Sequence, residues 1–554
     1  MYKYIMHYNG EIIMANKTDA VSKFSAPFDR VWFMIDYARE RTFKREEFIL
    51  LIDKLKDLGY NGLGLYLEAA VQFESIPGVI RRGVITADDA KWINAECEKR
   101  GILVFPMTNV VGHMEHFFHQ ERFADLLMED TNYIQLNFLD KRAEEFSMQI
   151  VHEYTKMFPC GLIHIGGDET KLTEDTKTVY AGFLAKICKN LFDEGIEVAI
   201  WDDMLWMDPS LCEYFDRRTL ICDWNYYGHR PESIAFFKEK GFDNFIVCPS
   251  DGGFEAFINY QRAGAHLKAR ADIYVNPDEV EAFFDDARRQ GVLNGLHTNW
   301  ENTEGRNLWA QWVPIARSGL FMNGKFEAGG RDDEAIEMAL FGRITPYTEI
   351  TYILQEEIQK EIWKTLSPNH RIEYMREALF QPKKIATFLT AMTKDNLDYF
   401  YKFPPVIEKL EEKLASWAPV GAFETNCRGA MADVIAIVKA ATQFAFALNN
   451  YKGYAKAAAI QFTEPKAAAD IIDKAIKDFA STIDQIELVK QSISKTIATI
   501  GHTANDIYYL DLVITVIKTV ITALERCKAD INEIPLPRFD RLIDAAINGR
   551  LLVQ

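Results

Sequence analysis

The sequence predicts an α/β fold in which a closed (β/α)8 barrel, a TIM barrel, is followed by an all-α helical domain. Between residues of about 30 and 300, short apolar, β-rich runs alternate with longer segments of helical character. Beyond about residue 325 strand-like runs disappear, and Ala, Lys, Glu, Ile and Leu recur with a helical period. We therefore expect a short N-terminal cap or hairpin over residues 1–30, a catalytic barrel over 31–325 and a helical domain over 326–554.

Eight apolar runs are the predicted barrel strands: Val31–Asp36, Gly62–Leu67, Ile102–Met107, Gly161–Ile165, Glu197–Trp201, Thr219–Trp224, Asn244–Cys248 and Gly295–Trp300. Their continuous apolar character indicates that both faces of each strand are covered. Amphipathic helices are predicted between them, for example over Arg45–Leu58 and Thr86–Lys99. The alternative is an open doubly wound sheet, but Asp36-Tyr37-Ala38-Arg39 stands where its glycine-rich phosphate loop would follow the first strand.

The predicted helical domain contains long amphipathic stretches over Ala430–Leu448, Ala467–Phe479 and Tyr508–Lys528. They are long enough for a packed bundle but lack sustained heptads. We expect this domain to pack on the barrel or to form a subunit interface, so a homodimer is one option. In a dimer, Arg306, Trp309 or the helical tail are candidates for completing the partner's binding pocket.

Composition limits the partners. A net charge of −18 with 13% aromatic residues argues against a nucleic acid or an anionic membrane surface, and it fits a neutral or cationic ligand. The first ten residues do not resemble a secretory signal, and no run is expected to reach the length of a membrane span. We therefore expect a cytoplasmic protein without a membrane partner. The eight cysteines are scattered without the spacing of a metal site, so neither a metal nor a disulfide framework is expected.

The most informative motif is His164-Ile165-Gly166-Gly167-Asp168-Glu169, which puts two adjacent carboxylates behind a glycine pair at the end of an apolar run. Neighbouring carboxylates shift each other's pKa, so that one can stay protonated while the other stays charged, which suits glycoside cleavage. The glycines are expected to let a bulky ligand approach the backbone. The alternative interpretation is a surface turn with Asp168 capping the next helix.

Other chemically apt side chains also follow predicted strands, where TIM barrels place their active sites. They are Asp36, Arg39, Glu68, His113, Trp201, Asp202, Asp203, Trp224, Ser250, Asp251, Trp300 and Glu301. Three indoles at one mouth would form an aromatic wall for the apolar face of a sugar. Each residue also has a structural interpretation: tryptophans as core plugs, Arg39 as a surface ion-pair partner, His113 as a structural histidine, and Asp202 and Asp203 as helix caps.

Residues 164–169 resemble the His-x-Gly-Gly-Asp-Glu signature of glycoside hydrolase family 20, the β-N-acetylhexosaminidases. The similarity covers roughly residues 28–325, and the family's other motifs are matched by Asp36-x-x-Arg39, Gly112-His113, Trp201-Asp202-Asp203 and Trp300. The short leader and long helical tail are similar to a bacterial branch that lacks a large N-terminal domain.

This resemblance implies retaining, substrate-assisted hydrolysis, an exception to the two-carboxylate scheme. The 2-acetamido group of the sugar would be the nucleophile, Glu169 the acid/base and Asp168 the group that orients and stabilises the acetamido group. His113 and Glu68 would support the acid/base, Arg39 would bind ring hydroxyls, and Trp201, Trp224 and Trp300 would box the acetamido group. The implied substrates are oligosaccharides or glycoconjugate fragments with terminal β-linked GlcNAc or GalNAc, and no cofactor or metal is needed.

The sequence departs from the family pattern at the last strand. Asn302 stands where the family has an acidic residue, with Glu301 and Glu304 on either side, so Glu301 is kept as a candidate substrate ligand. The family's acetamido-binding tyrosine has three candidates, Tyr226, Tyr227 and Tyr260. Two alternative functions therefore stay open: a glucosaminidase or other amino-sugar glycosidase, and an inactive sugar-binding protein.

Overall fold

The computed structural model describes residues 5–8, 11–14, 27–39, 41–76, 78, 83–118, 120–128, 134–225, 230–250, 278–300, 307–325, 333–359, 378–394, 398–497 and 505–549. Near the N-terminus, strand β1 (Ile5–Tyr8) pairs antiparallel with β2 (Glu11–Met14), inside the segment for which we expected a cap or hairpin. The domain boundaries at residues 30 and 325 stay predictions.

Eight parallel strands close into a barrel in the order β10-β3-β4-β5-β6-β7-β8-β9. They are β3 (Arg30–Asp36), β4 (Gly62–Tyr66), β5 (Leu103–Met107), β6 (Leu162–His164), β7 (Glu197–Trp201), β8 (Leu220–Trp224), β9 (Phe245–Cys248) and β10 (Asn294–Asn299). Every predicted strand is present, and each of its ends lies within one residue of the prediction. The predicted (β/α)8 barrel is confirmed, and the open doubly wound sheet is excluded.

Helices α1 to α9 surround these strands: Arg45–Asp57, Ala87–Lys99, Glu115–Phe118, Ala143–Met157, Lys177–Asp193, Asp203–Met207, Pro231–Glu239, Asp278–Arg289 and Trp312–Met322. Their apolar faces and the outward side chains of the strands form one large core. A second cluster fills the barrel interior, with Trp32 and Phe105 deep inside and Trp201 and Trp300 at the ends of their strands. Because side chains fill the interior, ligands have access only at the mouth.

The rest of the described chain is helical, in α10 to α18: Asp333–Phe341, Tyr347–Ile353, Pro382–Lys394, Phe403–Ser416, Gly421–Asn449, Tyr451–Ile460, Pro465–Ile497, Asn505–Ala529 and Phe539–Ile547. The three predicted amphipathic stretches lie within α14, α16 and α17, three long helices that pack against one another in sequence order. We call α10 to α18 the helical region.

The helical region packs on the barrel through aromatic side chains. Phe423 of α14 contacts the rings of Trp309 and Trp312 edge-on, at centroid distances of 5.3 and 5.1 Å, and the ammonium of Lys54 in α1 lies over the same phenyl ring. Every residue of α9 is buried. Trp309 is fully buried within its own subunit, so it is not available to complete a partner's pocket, and Arg306 lies outside the described residues.

Two helices of the described chain are long and apolar enough to cross a membrane by length and composition, Gly421–Ile460 and Asp506–Ala529. Our expectation that no run reaches that length was therefore wrong. The first helical segment is 72% buried over its most apolar window and the second 44%. Both pack with α16 in the helical region, and core helices of this kind satisfy the same criterion.

Candidate active site

The turn after β6 carries the paired carboxylates and depends on its two glycines. Gly166 and Gly167 have φ of 77° and 98°, a conformation that favours glycine. A Cβ on Gly166 would lie 1.4 Å from the side-chain amide of Asn109, and one on Gly167 would lie 2.8 Å from a methyl group of Leu184. The glycines therefore serve the turn and its packing against protein side chains, and our expectation that they open the backbone to a ligand was wrong.

Three non-glycine residues among those described have positive φ: Glu68 (40°), His113 (50°) and Glu169 (48°). They follow three consecutive barrel strands, β4, β5 and β6, at the carboxyl end of the barrel. Such a conformation costs about 1–3 kcal/mol per residue and persists only where surrounding contacts enforce it. All three residues lie at the carboxyl end of the barrel, so this is the part of the described fold where surrounding contacts override the usual backbone preference of non-glycine residues.

His113 is the centre of a carboxylate cluster at this mouth. Its Nε2 lies 3.0 Å from Glu169 Oε2 and 3.6 Å from Asp168 Oδ2, and its Nδ1 lies 3.6 Å from Glu115 Oε1. Burial alone would lower the pKa of His113, but hydrogen bonds with Glu115 and Glu169 and the charge of Asp168 raise it to about 10. The imidazole is therefore a cation at neutral pH that donates to Glu169. The interpretation of His113 as a purely structural histidine does not fit this position.

Glu68, which we expected to support the acid/base together with His113, lies against His116 instead. Glu68 accepts hydrogen bonds from the backbone N–H of His116 (2.6 Å) and from His116 Nδ1 (2.7 Å), so it does not support His113. Glu115 takes that place, and its contact with His113 lowers its pKa although burial opposes the shift. Sequence reasoning considered strand ends and missed Glu115, which lies two residues after His113 at the start of α3.

Asp168 is a buried carboxylate and not a surface cap. It is 9% exposed, and the next helix begins at Lys177 with Thr176 at its N-cap, which excludes the surface-turn interpretation. With the Asn109 amide oriented to satisfy both ends, its nitrogen donates to Asp168 Oδ1 at 3.3 Å and its oxygen accepts from the hydroxyl of Tyr66. Burial raises the pKa of Asp168 to about 6; the His113 cation opposes the rise and Glu169 adds to it.

The two aspartates after β7, Asp202 and Asp203, hold different parts of the site. Asp203 Oδ2 accepts the backbone N–H of Glu169 at 2.9 Å, whereas Asp202 accepts the backbone N–H of Trp224 at 3.0 Å and pairs with Arg230 at 2.6 Å. Asp202 stands at the N-cap of α6 without a side-chain capping bond, so the interpretation of this pair as helix caps is wrong. Burial, and then the charge of Asp168, raise the pKa of Asp203 to about 7.

The predicted indoles belong to one aromatic cluster. The ring centroids of Trp201 and Trp300 are 6.2 Å apart, Tyr66 meets Trp300 edge-on at 4.9 Å, and Trp224 packs against the same cluster. The guanidinium of Arg39 lies 4.9 Å above the Trp300 ring and donates to Asp36 Oδ2 at 2.8 Å. Arg39 thus forms an ion pair, as the structural interpretation expected, and this ion pair lies beside the aromatic cluster at the mouth.

Several predicted ligands lie outside the described residues. These are Glu301, Asn302, Glu304, Asp251 and the tyrosine candidates Tyr226, Tyr227 and Tyr260. Ser250 is described and is buried in the bridge that joins the end of β9 to Thr298. Tyr66, which the sequence analysis did not single out, is the buried tyrosine that the structure places between Asn109 and Trp300. It ends a strand, so its position could have been predicted.

One set of side chains among the described residues has the spacing of a cation site. The ligand atoms of His113, Asp168 and Glu169 all lie within 4.8 Å of one another. A metal binds a neutral imidazole, so binding at this set would have to displace the proton that the neighbouring carboxylates stabilise on His113. The absence of a metal cofactor stays a prediction.

A parallel eight-stranded barrel with clustered carboxylates, an arginine and indoles at its carboxyl end is the arrangement of a glycoside hydrolase. Residues 65–292 match the sequence model described as "Glycosyl hydrolase family 20, catalytic domain". The matched residues run from β4 to the segment before β10, so this part of the barrel is similar to a family 20 catalytic domain.

Individual relatives match this chain at low sequence identity. A β-hexosaminidase from Akkermansia muciniphila is 24% identical over 265 residues, which cover 43% of this chain and 50% of the relative, so the match spans about half the relative's length. A family 20 exo-β-N-acetylglucosaminidase from Vibrio harveyi is 18% identical over 59% of either chain, with a TM-score of 0.43. A chitobiase from Flavobacterium johnsoniae is 14% identical over 94% of this chain and 75% of its own, with a TM-score of 0.41. With TM-scores below 0.5, these structures add nothing to the argument, and the similarity to family 20 rests on the match to the family's sequence model.

Proposed function

We propose that the protein is a retaining exo-β-N-acetylhexosaminidase that hydrolyses terminal β-linked GlcNAc or GalNAc with the substrate's own 2-acetamido group as nucleophile. The observation that carries this proposal is the cluster of Glu169, Asp168 and His113 beside the indoles of a barrel that is similar to a family 20 catalytic domain. A substrate nucleophile explains why two carboxylates can lie side by side instead of facing each other across a sugar ring.

Glu169 is the acid/base in this proposal. Its side chain is 36% exposed, compared with 11% for His113 and 12% for Asp168, so it is the member of the cluster that extends furthest into the mouth. It gives its proton to the leaving glycosidic oxygen as the bond from that oxygen to the anomeric carbon breaks. It later removes a proton from the water that attacks the same carbon. The His113 hydrogen bond at 3.0 Å holds the carboxyl in place between these two steps.

Asp168 supports the internal nucleophile. The acetamido oxygen attacks the anomeric carbon and forms an oxazolinium-type ring, and positive charge develops on the acetamido nitrogen. A carboxylate buried beside that nitrogen stabilises the charge strongly, because little water screens it. Asp168 is positioned for this by its burial and by the Asn109 amide. The ionised form is needed, which sets a pH requirement that we use below.

The remaining residues bind the sugar. Trp201, Trp224 and Trp300 supply an apolar wall that holds the acetamido group in attack geometry. Arg39, held by Asp36, presents its remaining N–H groups to ring hydroxyls. The substrates we propose are therefore oligosaccharides or glycoconjugate fragments with a terminal N-acetylhexosamine. The cytoplasmic location and the homodimer stay predictions.

The test compares wild type and Glu169→Gln on an aryl β-GlcNAc substrate, together with inhibition by a thiazoline mimic of the cyclised intermediate. We expect turnover by the wild type, loss of turnover in the variant, and strong inhibition by the thiazoline. Faster turnover of the free-amine aryl glycoside than of the N-acetylated one would overturn the proposal in favour of a glucosaminidase. Sugar binding with no turnover of either substrate would identify a sugar-binding protein.

A further inference from the structure

Glu169 is held at two separate points. His113 holds its carboxyl group at 3.0 Å, and Asp203 Oδ2 accepts its backbone N–H at 2.9 Å. The second contact crosses from the loop after β7 to the loop after β6, and Asp203 itself is 8% exposed. The backbone φ of Glu169 is 48°, a left-handed conformation that residues other than glycine rarely adopt unless surrounding contacts hold them there.

We propose that Asp203 is a positioning residue that holds the Glu169 backbone in its left-handed conformation and thereby directs the acid/base carboxyl toward the glycosidic oxygen. This inference rests on the proposed function of Glu169. A helix-capping role does not explain this contact, because the acceptor is a buried carboxyl that caps no helix and accepts the N–H of the reacting residue itself.

The neighbouring aspartate supplies a geometric contrast. Asp202 belongs to the same dipeptide, but its two oxygens hold the Trp224 backbone and Arg230 and have no bond to Glu169. Both aspartates therefore touch the aromatic wall, Asp202 at the Trp224 backbone and Asp203 at the Trp224 side chain, but Asp203 is the one that also holds Glu169. Loss of Asp203 should therefore impair proton transfer, which loss of Asp202 should affect less.

The experiment uses Asp203→Ala, Asp203→Asn and the control Asp208→Ala in the full chain. Asp208 lies five residues further along, pairs with Lys177 and has no contact with the carboxylate cluster. Each variant is tested on N,N′-diacetylchitobiose, whose alkoxide leaving group needs a proton, and on 2,4-dinitrophenyl β-GlcNAc, whose leaving group does not.

For Asp203→Ala we expect kcat/KM on the disaccharide to fall by about 100-fold and kcat/KM on the dinitrophenyl substrate by less than about fivefold, because kcat/KM reports the step in which the leaving group departs. Asp203→Asn keeps an oxygen acceptor and should recover kcat/KM on the disaccharide to within about tenfold of wild type. Asp208→Ala should match wild type on both substrates.

Equal losses on the two substrates, an Asp203→Ala variant that behaves like Asp208→Ala, or no recovery in Asp203→Asn would each overturn the inference. Thermal melting and circular dichroism establish that the variants fold. If Asp203→Ala does not fold, Asp203→Glu replaces it, because the added methylene displaces the acceptor oxygen, and the same leaving-group contrast is required. Wild-type inactivity on both substrates would instead refute the proposed function, and the positioning role would fall with it.

Discussion

The barrel mouth and the helical region both contain buried carboxylates, but the surroundings of these carboxylates differ. In the helical region Glu424 accepts from the indole N–H of Trp417 at 2.6 Å and pairs with Arg343, and Asp433 accepts from the hydroxyls of Thr496 and Ser492. At the mouth, Asp168, Glu169 and Asp203 lie among one another, and Glu169 has positive φ.

A raised pKa does not by itself separate the two regions. Burial raises the pKa of Asp433 to about 6, as it does that of Asp168. The mouth differs from the helical region because several carboxylates lie close together there and because Glu169 has a strained backbone. Folding alone favours neither feature, and both are typical of functional sites. The comparison implies that replacing a carboxylate at the mouth should cost activity, whereas replacing one in the helical region should cost stability.

The largest expected effect is at the acid/base. Glu169→Gln cannot donate a proton, so kcat on a disaccharide should fall by about 1000-fold, within the usual range for loss of a general acid. The matched variant Glu424→Gln should turn over at the wild-type rate once folded. Steady-state kinetics on both proteins measure the difference, and a Glu169→Gln variant within tenfold of wild type would remove the contrast between the regions.

Asp168→Asn should have the second-largest effect, a fall in kcat of about 100-fold, because the amide cannot neutralise the positive charge of the cyclised intermediate. Its affinity for a thiazoline inhibitor should weaken in parallel. Competitive inhibition constants for wild type and variant test this. Unchanged thiazoline binding would mean that Asp168 does not face the acetamido group.

The pH dependence sharpens the comparison further. Asp168 acts in its ionised form, and its pKa is about 6, so kcat/KM should decline as the pH falls through 6, tenfold per pH unit well below it. Asp433 has a similar pKa but no contact with the site, so Asp433→Asn should leave that acidic limb unchanged. A profile that stays flat down to pH 4.5 would contradict the assignment of Asp168.

Arg39→Lys should have a smaller effect, concentrated in KM. Lysine keeps the positive charge but loses the planar fork that bonds Asp36 and lies over Trp300, so KM should rise by about tenfold with little change in kcat. Initial-rate curves on the aryl substrate distinguish the two parameters. A change confined to kcat would place Arg39 nearer the reacting bond than proposed.

The smallest effect concerns stability. The pKa of Asp168 is raised from 3.8 to about 6, so the folded state binds its proton more tightly than the unfolded state, and stability decreases as the pH rises through this range. Asp168→Asn should therefore melt about 1–4 °C above wild type at pH 8, with the gain vanishing near pH 4. Glu424→Gln should melt lower at both values, because Arg343 and the Trp417 indole lose a charged partner. Melting curves at the two pH values test this, and an Asp168→Asn variant that melts below wild type at pH 8 would reverse the expected sign.

The barrel could be predicted from sequence because its strands are continuous apolar runs, buried on both faces and separated by amphipathic helices. For the same reason the residues at strand ends, such as Arg39 and Asp168, could be placed at the mouth. Glu115 and Asn109 could not, because they lie beyond the ends of the strands, in short segments that have no periodic signal. The glycine pair was misinterpreted because positive φ and close packing leave the same sequence signature as ligand access.

Helix α9 has no side that faces water, because the barrel covers one face and the helical region, through contacts such as that of Phe423, the other. Engineers who want a smaller glycan-processing enzyme could not simply trim the chain after residue 325. Doing so would uncover Trp312 and Trp309 together, and an exposed apolar patch of that kind promotes aggregation. A shorter version would first need polar replacements along that surface, because the helical region covers apolar side chains of the barrel that would otherwise be exposed to water.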